Sequence, residues 1–428
     1  MRWGEIGMNG SSPTAMQEWR RHGGLALSAM LGLSFISIAS TSFGVFMTPL
    51  QQEFGWSRAQ ISFALTIGAI IGTPLAPFSG ALADRFGSRR IAIPGLVIAM
   101  LVMAALSQVN ASIYSWYFAW FTFSLVTIMT KQPVWATAVS GAFSVSRGLA
   151  IAIFLSGLGL AQTLSPILAR ILIDSYGWRG AYVGMAFGWG SITLLMVLLF
   201  FHDNFGKRAK PVPGAAAQLL PGGLSLKEAL RDTRMQRITF AICLQAVMGA
   251  AAMSHLVPIL EWSGTSRASA AAISAVLGVA SISGKLVTGW LADLVRRSYL
   301  PAACFTLPGL GYLLLLQGGD SVMLLSIAVF IVGFGSGAAY HMTIFLTVQY
   351  SGLRHNGKIF GTMVGMLGLA GGLGPLIAGQ LYDMTSSYYL LLIAGLPQAL
   401  LAGAGLLTLG PYPVFAPVQP GESEPVPG

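Results

Sequence analysis

Lys131 and Lys285 each fall inside an apolar run of this 428-residue chain that is long enough to cross a bilayer. Lys285 precedes Asp293 by eight residues, about 12 Å at the rise of an α-helix. Lys131 precedes Arg147 by sixteen residues, about 24 Å. The fourteen carboxylates (Glu5, Glu18, Glu53, Asp84, Asp174, Asp203, Glu228, Asp232, Glu261, Asp293, Asp320, Asp383, Glu422 and Glu424) all fall in tails, loops or helix ends. Ionisable groups deep in a membrane are costly and are functional candidates by default. Two central cations with no carboxylate placed to neutralise them call for an anion from outside, and the simplest such anion is a substrate. The pattern predicts a small organic anion, a carboxylate, held by one cation from each half of the chain. The alternative is a lysine stem that snorkels its charge to the surface. Arg170, the third basic residue within a span, stands four residues before Asp174 and is expected to pair with it locally.

Helical spacing supplies the neighbours. Ser281 and Thr288 share a face with Lys285, and Trp135 shares one with Lys131. Trp135 is either a packing residue or a platform for substrate. His255 lies just before Pro258, and His341 adjoins Tyr340. A histidine titrates near neutral pH, so either could carry a coupling proton; the alternative is a hydrogen-bonded interior residue. The expected substrate-binding set is therefore Lys131, Lys285, Trp135, Tyr340, His341, His255, Ser281 and Thr288. There is no metal-ligand spacing, nucleophile motif or phosphate loop. Neither enzymatic activity nor a cofactor or metal is expected. Cys243 and Cys304 fall within apolar spans and read as small core residues rather than a disulfide or metal pair.

Composition gives the elements that must hold these residues. The chain is 54% hydrophobic and 9% charged, against roughly 25% charged for a soluble domain. It reads as an integral membrane protein with twelve apolar segments, near 25–49, 59–82, 91–108, 113–142, 148–173, 180–201, 238–260, 268–291, 299–317, 321–349, 358–382 and 387–410. With both termini cytoplasmic, 18 of the 24 Lys and Arg residues fall inside and 3 outside, Arg58, Arg179 and Arg267. That bias sets the orientation. The net charge of +10 is thus a topology signal, and no nucleic-acid partner is implied. Trp116, Tyr117 and Trp120 open the fourth segment and read as an interfacial aromatic belt.

Between the second and third segments runs Gly80-Ala-Leu-Ala-Asp84-Arg85-Phe86-Gly87-Ser88-Arg89-Arg90. A compact charged turn between two spans marks a membrane face, and Gly87 provides a position where positive φ costs little. This stretch resembles the signature loop of the major facilitator superfamily, in which it latches the two halves of the transporter together. The resemblance implies twelve helices as two pseudo-symmetric six-helix bundles. It also implies a latch of Gly80, Asp84, Arg85, Gly87, Arg89 and Arg90, with Asp293 and Arg147 at corresponding turns. A second resemblance lies in Ser283-Gly284-Lys285-Leu-Val-Thr-Gly289, which is similar to the eighth helix of the monocarboxylate and oxalate/formate branch. Phe54-Gly55-Trp56-Ser57-Arg58 and Arg147-Gly-Leu-Ala150 fit the same branch. Those carriers have Arg where this chain has Lys285, and that arginine binds the substrate carboxylate. Lys is a point charge without the bidentate fork, which keeps anion binding and puts dicarboxylate selectivity in doubt. No basic residue lies mid-span in the eleventh segment, where the oxalate carrier has a second one; Lys131 stands in for it.

Shifting the chain by 209 residues superposes its halves: Pro49 on Pro258, Arg58 on Arg267, Gly80 on Gly289, Asp84 on Asp293, Gly159 on Gly368, Pro166 on Pro375 and Asp174 on Asp383. The same shift sends Lys131 to Tyr340. A duplicated six-helix unit follows, with a site between the halves and alternating access. The expected organisation is a mobile cytoplasmic tail at 1–24, bundles at 25–201 and 238–410, a linker at 202–237 and a disordered tail at 411–428. In the linker, Ser225 and Glu228 form a capping box for a short amphipathic helix. The second signature copy lacks the arginine and glycine after Asp293, which predicts a weaker latch. The predicted function is a secondary transporter for a monocarboxylate-like anion in the inner or plasma membrane. It works as a monomer with its termini in the cytoplasm, either coupled to protons or exchanging anions. Efflux of an amphipathic drug, acidic metabolite or peptide-like compound is the alternative.

Overall fold

The computed structural model describes residues 14–143, 145–202, 222–294, 299–352, 355–413 and 415, and no side chain at 76, 77, 84, 293, 294, 356 or 357. The side chains of Asp84 and Asp293, and the expected loop and tail residues 203–221 and 416–428, therefore lie outside the described residues.

The described chain is helical. The helices are α1 (Ala15–Thr41), α2 (Phe43–Phe54), α3 (Arg58–Phe86), α4 (Ser88–Ala105), α5 (Ile113–Val126), α6 (Gln132–Ala142), α7 (Arg147–Gly184), α8 (Gly190–Phe200), α9 (Leu226–Arg231), α10 (Thr233–Ser254), α11 (Leu256–Trp262), α12 (Arg267–Leu294), α13 (Tyr299–Gln317), α14 (Val322–Ser351), α15 (Asn356–Thr385) and α16 (Tyr389–Leu407). Among the described residues, nine stretches are long and apolar enough to cross a membrane. One of them, Arg147–Phe200, makes two crossings. Its backbone leaves the helical region at Gly177 (φ 69°), and Leu172 and Gly184 meet where the chain folds back. With α3 and the broken rod at 113–142, the crossings number twelve.

Polar residues extend the first crossing beyond the apolar run. Thr14 and Gln17 form a reciprocal capping box, so α1 starts at Ala15 and residues 15–24 are helix rather than tail. Buried Glu18 accepts backbone bonds from Val145 and Ser146 at 2.9–3.2 Å, tying α1 to the turn before α7. The capping box of Ser225 and Glu228 starts α9. An isolated bridge joins Gly223 to Gly352 at the end of α14.

Lipid is as apolar as a leucine side chain, so helices here associate through close packing. The tightest approaches use glycine. A Cβ at Gly284 would strike the Phe334 carbonyl, and one at Gly337 would strike the Ser281 carbonyl, which locks α12 against α14. Within the first bundle, Trp116 and Trp120 are buried against Phe43, and Trp116 donates to the Ile61 carbonyl at 3.1 Å. They are core residues, not an interfacial belt. Tyr114 and Phe118 hold the exposed face of that helix.

The twofold repeat is visible in the backbone. Ser57 caps α3 and, 209 residues on, the Ser266 hydroxyl accepts from Ser269 N in the first turn of α12. Gly55 and Gly264 both have positive φ, at 70° and 102°. Gly177 is matched by Ser386, whose φ of 53° makes it the non-glycine residue with positive φ among the described residues. That conformation costs a non-glycine residue about 1 kcal/mol. Ser386→Gly is expected to raise the unfolding midpoint of the detergent-solubilised protein, by up to about 1 kcal/mol in stability. An unchanged or lower midpoint would show that the turn is not strained.

Candidate substrate-binding site

The two bundles meet along two symmetry-related seams, α3 on α15 and α7 on α12. The α3–α15 seam is closed from the Arg58 end. Asp383 accepts the backbone N–H groups of Arg58 and Ala59 at 3.0 and 2.8 Å, and Ser57 accepts that of Gln60. A carboxylate at a helix N-terminus satisfies donors that have no intrahelical partner and matches the helix dipole. The Arg58 guanidinium lies 3.6 Å over the Tyr382 ring, donates to Gln51 at 3.1 Å and donates to the Tyr388 hydroxyl. Further along, Thr66 donates to the Gly372 carbonyl at 2.6 Å, and Thr73 lies against Gly368.

His255 belongs to this closure. It stands at the break between α10 and α11, fully buried, with Nε2 at 3.0 Å from both the Pro375 carbonyl and Ser62 Oγ. A carbonyl only accepts, so the Pro375 contact puts a proton on Nε2. The Tyr388 hydroxyl, 2.8 Å from Nδ1, then donates to the ring. His255 thus ties α3 of one bundle to α15 of the other.

Below the closure lies a cavity of about 340 Å³. Its wall comes mostly from the second bundle: Gln245, Ala246 and Gly249 of α10, Leu277 and Ser281 of α12, Phe305 of α13, Ser336, Tyr340 and Thr343 of α14, and Leu367 and Gly371 of α15. Gln162 of α7 reaches in from the first. The lining is largely apolar, and no carboxylate is among its residues.

Of the eight residues singled out by sequence, Ser281 and Tyr340 line this cavity. Lys285 is not among the lining residues; its ammonium lies 5.5 Å from the centroid of the Tyr340 ring, in cation–π range. Thr288 is buried and donates to the Gly284 carbonyl at 2.6 Å. His341 faces Gly289 of α12. Lys131 stands just before α6 without a side-chain cap bond there; its ammonium lies against Gly72 of α3 and donates to the Gly72 carbonyl at 3.0 Å. Trp135 is a buried packing residue: it lies against Gly32 and Phe201 and donates to the Thr130 carbonyl at 2.6 Å. Among the described residues the ion pairs are Arg170–Asp174, as expected from spacing, and Arg179–Glu53.

The signature residues stand at the opposite end from Arg58. Gly87, at φ 89°, makes the turn from α3 to α4. Arg89 donates to the Phe201 and Leu198 carbonyls at 2.5 and 2.9 Å, capping α8 of its own bundle. Arg85 lies over the Phe86 ring at 5.2 Å. Arg147 donates to the Phe143 carbonyl at 3.0 Å, and Gly80 lies 3.9 Å from Pro133 by its would-be Cβ. Arg90 stands in the first turn of α4.

The profile of the Major Facilitator Superfamily matches residues 29–375 and 263–427. The chain belongs to the Major Facilitator Superfamily. It is a multi-pass membrane transporter. The chain is 26% identical over 397 residues to monocarboxylate transporter 13 of Bos taurus, covering 91% of this chain and 89% of that one. It is 28% identical over 382 residues to monocarboxylate transporter 11 of Homo sapiens, covering 85% and 77%. A crystal structure of a bacterial homolog of the human lysosomal transporter Spinster superposes with a TM-score of 0.67 at 16% identity, covering 94% of this chain and 96% of that one.

Sequence reasoning missed Gln162, Gln245 and the Asp383 cap. The 209-residue offset pointed at Asp383 as a repeated position, but its target on α3 is main chain. Asp383→Ala is expected to loosen the Arg58 end. Spin labels placed on the exposed ends of α3 and α15 should show a new, longer distance population in the variant. An unchanged distribution would show that the carboxylate does not hold the seam.

Proposed function

We propose that this transporter moves a small organic anion, a monocarboxylate, by alternating access. The observation that carries the reading is Lys285. Its ammonium stands beside Tyr340, which lines a cavity between the bundles that has no carboxylate in its wall. A cation so placed gains most from an anionic occupant, and the lysine is the residue that resembles the carboxylate-binding position of the monocarboxylate branch. The monocarboxylate transporters named among the relatives support the same class. Lys131 supplies the second positive centre from the first bundle. Its bond to the Gly72 carbonyl holds it in reserve until the halves rock together.

The closed Arg58 end is the outer face, and the state is inward-facing, with both termini in the cytoplasm. Arg89, which here caps α8 of its own bundle, and the other signature arginines cross to the other bundle when the opposite state forms, with Asp84, Asp293 and Gly80 at the crossing. Helix α1 carries the first bundle back to Ala15, the linker divides the bundles at 201 and 238, and the second bundle ends at 410. His255 is the group placed to couple a proton. A second proton on its ring would have to sit on Nδ1, where Tyr388 already donates and is itself bonded by Arg58. Protonation from the outside would therefore loosen the outer closure. The carrier acts as a monomer in the cell's inner or plasma membrane. The apolar lining also favours an amphipathic acidic metabolite over a short hydrophilic acid.

The test is uptake of labelled monocarboxylates into proteoliposomes, with and without a pH gradient, by wild type and Lys285→Ala. Wild type should accumulate a carboxylate, and Lys285→Ala should lose roughly tenfold or more of that rate, as for loss of a charged hydrogen bond. Normal transport by Lys285→Ala would remove the charged centre. An uptake indifferent to the gradient, and to His255→Gln, would leave exchange as the mechanism.

A further inference from the structure

The cavity wall holds polar groups that nothing among the described residues satisfies. Gln245 is 8% exposed, and neither its Nε2 nor its Oε1 has a hydrogen-bond partner. Gln162 is 9% exposed; its Oε1 has no partner, while Nε2 faces the sulfur of Met253 at 3.5 Å. Buried amides are normally paired, and each exception asks for an explanation. Both glutamines line the one cavity, from opposite bundles. Together they offer two acceptor oxygens and one unpartnered NH2 group, with two N–H donors, to whatever fills it.

A bare carboxylate is acceptor-only. It could engage Gln245 Nε2 and Lys285, yet both amide oxygens would remain unsatisfied. The occupant must bring hydrogen-bond donors of its own. Those donors are uncharged, because a cationic group would enter an apolar wall with no carboxylate to neutralise it. The volume of about 340 Å³ corresponds to about eleven water-sized groups at ~30 Å³ each. That is too roomy for a two- or three-carbon acid and suits one with an apolar body. We infer that Gln162 and Gln245 are specificity residues that read a neutral amide in the substrate, so that the carrier takes N-acylated apolar amino acids or acids of that chemistry. The acyl carbonyl accepts from Gln245 Nε2, the amide N–H donates to Gln162 Oε1, the carboxylate faces Lys285, and the apolar side chain fills the Leu277–Phe305 side. The amide contacts come from both bundles, so the same group that confers specificity also bridges the halves. This inference rests on the anion reading above and narrows it.

The experiment compares N-acetylleucine with its ester analogue, 2-acetoxy-4-methylpentanoate, in which oxygen replaces the N–H at the same shape and charge. Binding of each to the purified full-length carrier is measured by ligand-induced thermal stabilisation and by competition in proteoliposome uptake. Wild type should prefer the amide by roughly tenfold, the worth of one buried hydrogen bond with its orphaned partner. Gln162→Leu should bring that ratio toward one, whereas Gln245→Leu should weaken both compounds, because each keeps the carbonyl that accepts from Nε2. Gln245→Leu should also melt at or above wild type when empty, because it removes an unpaired amide from an apolar wall. Gln245→Met gives the same readout if the leucine variant does not reach the membrane. A wild-type ratio near one, a ratio unchanged in Gln162→Leu, or no binding of either compound would overturn the inference. Lys285→Ala should weaken both compounds equally. If it does not, the charged-centre reading fails, and that failure is distinct from any change in the amide-to-ester ratio.

Discussion

The site depends on how closely α12 and α14 can approach. In hydrocarbon no water is released by bringing two helices together, so contact distance decides the association. Gly284, Gly333 and Gly337 let backbone meet backbone along this crossing. That approach places Lys285 of α12 beside Tyr340 of α14 and brings Ser281 to the same wall. A side chain at any of the three glycines would separate the helices and move the ammonium away from its aromatic neighbour. The cation is thus positioned by residues that have no side chains of their own.

The two seams between the bundles are related by the repeat, yet they are built differently. Asp383 and Asp174 occupy equivalent positions. Asp174 is held by Arg170 within its own helix, whereas Asp383 reaches across to α3. The residue equivalent to Arg170 is Gly379, which lies against the backbone of Arg58 and Ala59. Removing a long side chain at that point lets α15 close on α3 and frees the carboxylate to cap it. A duplicated unit has in this way gained a carboxylate bridge across one seam, while the equivalent carboxylate of the other stays within its own helix.

Much of the architecture was legible in the sequence because its signals are local. Apolar runs gave the crossings, and the constant offset gave the repeat, down to the positive φ at Gly55 and Gly264. Spacing gave Arg170–Asp174 and the Ser225 cap. The first helix began earlier than hydropathy suggested, because the Thr14–Gln17 box and the buried Glu18 continue it through polar residues. Trp116 and Trp120 resembled a membrane-surface belt because tryptophan favours both interfaces and crowded interiors, and only tertiary packing separates the two. Gln162 and Gln245 carry no charge and sit in unremarkable apolar runs. What distinguishes them is the lack of partners, a property of three-dimensional neighbours that no spacing encodes.

The carboxylate of Asp383 binds main-chain amides rather than the side chains at 58 and 59. Every residue but proline presents the same N–H there. The bond therefore places almost no demand on what those two positions become as the protein diverges, and a compensating change on α3 would never accompany a change at 383. An analysis of correlated substitutions would pass over this contact between the halves. Only the acid itself, with the glycine one turn before it, would carry the trace of selection.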